Sequence, residues 1–344
     1  MIYVAGYVGM AVLRLLRLRG AYPVLLAALF LFSGFRYEVG CDWGGYENQY
    51  QVFGAATLPD LLSMQEPLWT AIVMLQVQLD LPYPWLNVIS SAIFFWGAHR
   101  LAIRQPDRLG FLILLFPVLI INMPMSGIRQ GAAIGLICMA FNAFSDRRLL
   151  RYLIYVIIAA GIHSSASIFL LLAPLVQGGL TRGRLFLSFL LAIPGGLALM
   201  GTDMAETATT RYVGTGIDSA GASYRVALLV MTAFLFFTLL RRPWARIFPD
   251  DHKLVTIGAL MMLATVPALV LSSVVGDRLG YYFIPIQTMI LARIPYLPLR
   301  SLRGPLTAAP YIALLAVLTT WIVFSDLFAG CYLPYESWLL GLPS

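Results

Sequence analysis

Apolar runs recur along this chain from end to end, and no other feature constrains its fold as much. They read near 2–16, 22–35, 84–99, 109–121, 126–144, 149–162, 164–177, 185–200, 223–240, 253–271, 278–292 and 306–325. A membrane-spanning helix needs about 20 mostly apolar residues, so the shorter runs require tilt or snorkelling ends. Only 11% of the 344 residues are charged, against the roughly 25% usual in soluble domains. No soluble domain of useful size fits between the runs. The expectation is an all-α polytopic membrane protein of about twelve transmembrane helices, one integral membrane domain over residues 1–344. The first run lacks a basic start and a small-residue cleavage site, so it reads as a span and not as a signal peptide.

The basic residues set the topology. Segment 64–81, MQEPLWTAIVMLQVQLDL, is apolar enough to suggest a further span but carries Glu66, Gln76, Gln78 and Asp80. If it does not cross, eighteen of the 23 basic residues fall in inside loops, and five stay outside: Arg36, Arg129, Arg211, Arg225 and Arg278. If it crosses, the inside count drops to seven. The positive-inside rule selects the first arrangement. Both termini then lie outside, and 64–81 is an amphipathic or re-entrant helix on the outer face. Twelve of the sixteen acids also fall outside, as does His163, whereas His99 and His252 sit at inside edges. The net charge of +7 is therefore a topological signal. The basic residues form no aromatic-basic stripe, and no nucleic-acid partner is expected.

Polar chemistry thus concentrates on the outer side, where loops 36–83 and 201–224 are the expected functional loops. The stretch SGFRYEVGCDWGGYENQY (33–50) gathers Arg36, Glu38, Asp42 and Glu47 with Tyr37, Trp43, Tyr46 and Tyr50. The turn NMPMSGIRQG (122–131) places Arg129 and Gln130 beside Ser126, a residue able to cap the next helix and aim free N–H groups outward. His163 precedes Ser164, Ser165 and Ser167 at another outer helix start. The stretch 201–225 holds Arg211 and Arg225, and VGDRLGYYFIP (275–285) holds Asp277, Arg278, Tyr281 and Tyr282. Asp277 and Arg278 are candidates for an ion pair, although adjacent helix residues do not face each other. A single arginine at a span end is more often a snorkelling or ion-paired residue than a functional one. Five of them, each beside polar or aromatic neighbours, point to function, and a guanidinium fork suits phosphate.

No phosphate-binding loop is present, so nucleotide-driven work is not expected. No paired acids or His/Cys cluster has the spacing of a metal site, and neither a metal nor a cofactor is expected. Cys138 falls mid-span. Cys41 and Cys331 both fall outside, in a compartment that can be oxidising; the sequence leaves open whether they pair.

In order, RYEVGCDWGGY (36–46), EPLW (66–69), GIRQ (127–130), IHSSA (162–166) and DRLGYYF (277–283) resemble the motifs of the EpsG-like group of Wzy-type polysaccharide polymerases. The resemblance covers most of the chain. It departs at Cys41, where the family usually has Thr. It implies an enzyme of the bacterial inner membrane, with its active site facing the periplasm or exterior and a fold related to GT-C-type membrane glycosyltransferases. The implied reaction joins oligosaccharide repeat units carried on undecaprenyl diphosphate and releases undecaprenyl diphosphate. The implied partners are those lipid-linked oligosaccharides, membrane lipid and a chain-length regulator protein.

Negative charge grows on the leaving diphosphate, so preorganised arginines would stabilise the transition state most. Arg129, Arg211 and Arg278 with His163 are expected at the diphosphate, and Asp42 or Glu66 nearer the acceptor. Asp42, Glu38, Glu66 and His163 are the candidate bases. Arg36, Arg225, Gln130 and Tyr281 are further candidates for binding substrate. Trp43, Tyr46 and Tyr50 are candidate sugar platforms, although aromatics also gather at membrane interfaces. Two other readings share these features: an O-antigen ligase-like enzyme, and a flippase or transporter of lipid-linked sugars. A transporter is expected to place its polar site near the midplane and to show internal repeats.

Overall fold

Six helix starts in this chain fall at a proline or behind a capping serine or aspartate. The computed structural model describes residues 1–18, 20–54, 66–179, 181–188, 190, 219 and 221–341. They fold as two compact units. One comprises Met1–Cys138, Ile158–Ser164 and Arg300–Ser344; the other comprises Met139–Ile157 and Ser165–Leu299.

The first unit opens with α1 (Ile2–Leu15) and α2 (Ala21–Gly34), followed by β1 (Arg36–Tyr37) and α3 (Trp43–Gly54). Next come α4 (Pro67–Gln78) and α5 (Pro84–Ala102). Each has a proline in its first turn, where the missing N–H would have no helical partner anyway. Asp107 caps α6 (Arg108–Leu115) by accepting the Gly110 N–H at 2.7 Å, and it also receives Arg14 Nε at 2.7 Å. A π-turn over Phe116–Ile120, containing Pro117, continues α6. Helices α7 (Ile128–Ser145) and α8 (Leu149–Ile162) have their Ile128–Cys138 and Ile158–Ile162 portions in this unit. Gly97 of α5 and Gly135 of α7 lie so close that a Cβ on Gly97 would overlap the Gly135 backbone oxygen. Glycine is what lets these two helices touch backbone to backbone.

Described helices of the second unit include α9 (Ala173–Val176), α10 (Ala222–Leu235) and α11 (Arg241–Ile247). A 3-10 run over Ser164–Leu172 leads into α9, and a π-turn over Phe236–Leu240 joins α10 to α11. Helix α12 (Pro249–Leu271) starts on Pro249, and Ser272 caps α13 (Ser273–Arg293). The chain's single lysine, Lys253 of α12, donates to the carbonyls of Leu175, Val176 and Gly178 at 2.6, 3.0 and 2.9 Å.

The C-terminal stretch returns to the first unit with α14 (Arg303–Phe324), α15 (Asp326–Tyr332) and β2 (Glu336–Ser337). Strand β2 pairs antiparallel with β1, Arg36 opposite Ser337 and Tyr37 opposite Glu336. Tyr3 donates to the Tyr332 carbonyl at 3.1 Å, and Tyr335 to the Phe32 carbonyl at 2.8 Å. Cys41 and Cys331 form a disulfide, which answers the pairing that the sequence left open.

Among the described residues, three stretches are long and apolar enough to cross a membrane: Ala222–Ile247, Pro249–Leu271 and Arg300–Phe324. Shorter apolar helices run over Ile2–Leu15, Ala21–Gly34, Arg108–Ile120, Leu149–Ile162 and Ser164–Val176. A helix of 14 residues, such as α1, is about 21 Å long, short of the ~30 Å hydrocarbon core. Length alone therefore does not yield twelve spans. The chain is a helical membrane protein. The expected 64–81 helix is present as α4, whereas the run 185–200 lies largely outside the described residues.

Candidate active site

Glu66 stands at the start of α4, but its carboxylate does not cap that helix. Four donors from distant parts of the first unit converge on it. Oε2 receives Arg129 Nη1 at 2.6 Å. Oε1 lies 2.8 Å from His163 Nδ1 and accepts the Ser164 backbone N–H at 2.9 Å and the Ser164 hydroxyl at 3.3 Å. The side chain is only 10% exposed. Burial pushes the Glu66 carboxyl up. The His163 hydrogen bond, the Arg129 charge, the His163 charge and the Ser164 N–H together outweigh it and bring the pKa down to about 2.

That arrangement fixes the histidine. An ionised carboxylate only accepts hydrogen bonds, so Nδ1 carries the proton facing Glu66. In the neutral ring the lone pair then sits on Nε2. Arg129 is held from two sides: its guanidinium carbon lies 5.5 Å above the Tyr46 ring, which packs edge-on against Trp69 at 5.9 Å. Trp69 Nε1 in turn donates to Gln49 at 3.2 Å, tying α4 to α3.

The 36–43 loop is anchored beside these elements. Arg36 is buried, and its Nε, Nη1 and Nη2 donate to the Val39 carbonyl, the Ser33 carbonyl and Asn87 Oδ1, each at 2.7 Å. Sequence reading made it a substrate contact; in the structure it holds the loop's own frame. Gly40 has φ 109°, a left-handed conformation, and a Cβ there would overlap the Met125 carbonyl oxygen. Its N–H donates to the Cys331 carbonyl at 2.7 Å, and the Asp42 N–H donates to Ser126 Oγ at 3.3 Å. Asp42 and Glu38 are exposed. Trp43 and Tyr46, expected as sugar platforms, are each only 8% exposed. Trp43 packs edge-on against Tyr83 at 4.9 Å, and the Tyr83 hydroxyl donates to the Trp43 carbonyl. Gln130 is buried.

The second unit builds its own polar constellation. Arg225 grips Asp277 with two parallel hydrogen bonds, Nε to Oδ1 and Nη2 to Oδ2, each 2.6 Å. The Ser219 hydroxyl adds a third at 2.6 Å, and the Tyr281 ring lies 5.3 Å under the Arg225 guanidinium. The partner of Asp277 suggested by sequence was its neighbour Arg278; the structure supplies Arg225, 52 positions away. Arg278 is half-buried, and Arg211 lies outside the described residues. Ser164, Ser219 and the Tyr46 support of Arg129 were not anticipated. Ser164 alone left a signal, as the residue that follows His163 at a helix start.

The model of the EpsG family matches residues 21–337. The chain belongs to the EpsG family. No curated protein and no solved structure matches it. Membership in the EpsG family carries a polysaccharide-polymerase type of role for this membrane-embedded chain. The matched region includes Arg36, Asp42, Glu66, Arg129 and His163 of the first unit.

Proposed function

We propose that this EpsG-family protein is a membrane glycosyltransferase that joins oligosaccharide repeat units carried on undecaprenyl diphosphate. It acts at the outer face of the bacterial inner membrane and releases undecaprenyl diphosphate. The observation that carries this reading is the convergence of Arg129 and His163 on one ionised, buried carboxylate. The proposed fold is the twelve-span, GT-C-like arrangement with both termini outside and α4 on the outer face. The arginine distribution supports that topology.

In the proposed step, an acceptor hydroxyl gives its proton to His163 Nε2 while its oxygen forms a bond to the anomeric carbon of the donor. The glycosyl–phosphate bond breaks, and its electron pair leaves on the diphosphate. Glu66 is a positioning residue that sets the His163 tautomer; with a pKa of about 2 it is a weak base. Arg129 stabilises the charge that develops on the leaving group. Asp42 contacts the acceptor. Arg211, Arg225 and Arg278 stay in the proposal as substrate-binding residues, with Arg225 oriented by Asp277.

The test is complementation of a polymer-deficient strain, read by glycan chain length. His163→Ala and Arg129→Ala are each expected to abolish long-chain polymer while a single-repeat product remains. In single-turnover assays the His163 variant is expected to lose about 10²–10⁴-fold in rate, the usual worth of general base catalysis. Normal chain length in both variants would overturn the assignment.

A further inference from the structure

Helices α2 and α5 leave between them a groove of about 590 Å³ whose lining includes none of the site residues above. Its walls are apolar, with Leu26 and Phe30 on one side and Phe95 and Trp96 on the other. Ala27 and Ala92 are the small residues that keep it open. One end is polar. There the Tyr22 hydroxyl lies 3.0 Å from His99 Nδ1, the two rings stack, and Arg108 lines the same end.

We propose that this groove holds one anionic phospholipid, its acyl chain between the apolar walls and its phosphate at Arg108. Three observations lead there. From Tyr22 to Phe30 the groove runs about 12 Å along α2, close to the ~15 Å hydrocarbon depth of one leaflet. Its wall is open to the outside as well: Trp96, which lines it, is 58% exposed, an apolar surface that belongs in lipid and not in water. The charge at the polar end is positive: no acidic residue is among those that line the groove, and neighbouring Asp107 is committed to Arg14 at 2.7 Å. A basic pocket between membrane helices is the type of site that selects anionic headgroups.

The test is native mass spectrometry of the full chain in detergent, titrated with phosphatidylglycerol or with phosphatidylcholine of identical acyl chains. Wild type is expected to bind phosphatidylglycerol about fivefold more tightly, the worth of one cation near a headgroup. Arg108→Gln should bring that ratio close to one. Ala92→Trp, at an exposed position on the wall, should weaken both lipids at least about fivefold by filling the groove. Ala27→Trp fills it from the other wall and takes its place if the first variant does not purify as a folded protein. Equal affinity of wild type for the two lipids, a preference that survives Arg108→Gln, or unchanged phosphatidylglycerol binding in the tryptophan variant overturns the proposal.

Discussion

At the scale of single residues, Glu66 shows how a buried carboxylate is kept ionised. Burial raises its pKa, and His163, Arg129 and the Ser164 N–H together outweigh that effect. The shift has a sign that can be measured. A carboxyl whose folded pKa lies below its unfolded value contributes stability above about pH 4.5 and loses it as pH falls towards 2. The full shift from 4.5 to about 2 corresponds to about 3 kcal/mol. The melting temperature of wild type is therefore expected to exceed that of Glu66→Gln by a margin that narrows between pH 5 and pH 3. A margin independent of pH would show that the carboxylate is not held in this way. The members of this cluster were legible one by one, because ionisable residues are few in so apolar a chain. Their union was not. Glu66 lies 63 positions from Arg129 and 97 from His163, and no local pattern encodes such a meeting. Asp277 teaches the same lesson at shorter range. Adjacent side chains on a helix diverge, so the nearest arginine in sequence was the wrong guess for its partner.

At the scale of elements, the single lysine stands out among 23 basic residues. Lys253 sits where three carbonyl oxygens at the end of α9 converge, and its ammonium lies 4.9 Å from the Phe144 ring centre. A compact ammonium directs three donors towards one pole, whereas a planar guanidinium fork does not. The same cation also complements the negative end of the helix. Lys253→Met is expected to cost about 1–3 kcal/mol in detergent melts, because carbonyls that lose their donor stay desolvated. Lys253→Arg should recover less than half of that loss. Full recovery by arginine would mean that charge alone matters there. Helix positions themselves were largely readable. The runs 84–99, 126–144, 253–271 and 306–325 correspond to α5, α7, α12 and α14 within a few residues. Prolines and arginine clusters mark where the apolar periodicity stops. The 3-10 run over Ser164–Leu172 and the two π-turns left no such mark.

At the scale of the molecule, topology is the property on which the functional reading depends most. A reporter inserted in the 100–108 loop is expected to read cytoplasmic, and a periplasmic signal would mean that 64–81 crosses. The disulfide bears on the same question by an independent route. Cys41 is bonded to Cys331, and β1 lies against β2, so residues 36–41 and 331–337 share one side of the bilayer. The chain between them must therefore cross an even number of times. Two of the twelve proposed spans precede Cys41, which leaves ten after it; counting 64–81 would make that number odd. Parity thus binds segments that never touch. Span 185–200 cannot be removed from the scheme alone, nor can another be added alone, because crossings between these two cysteines come in pairs.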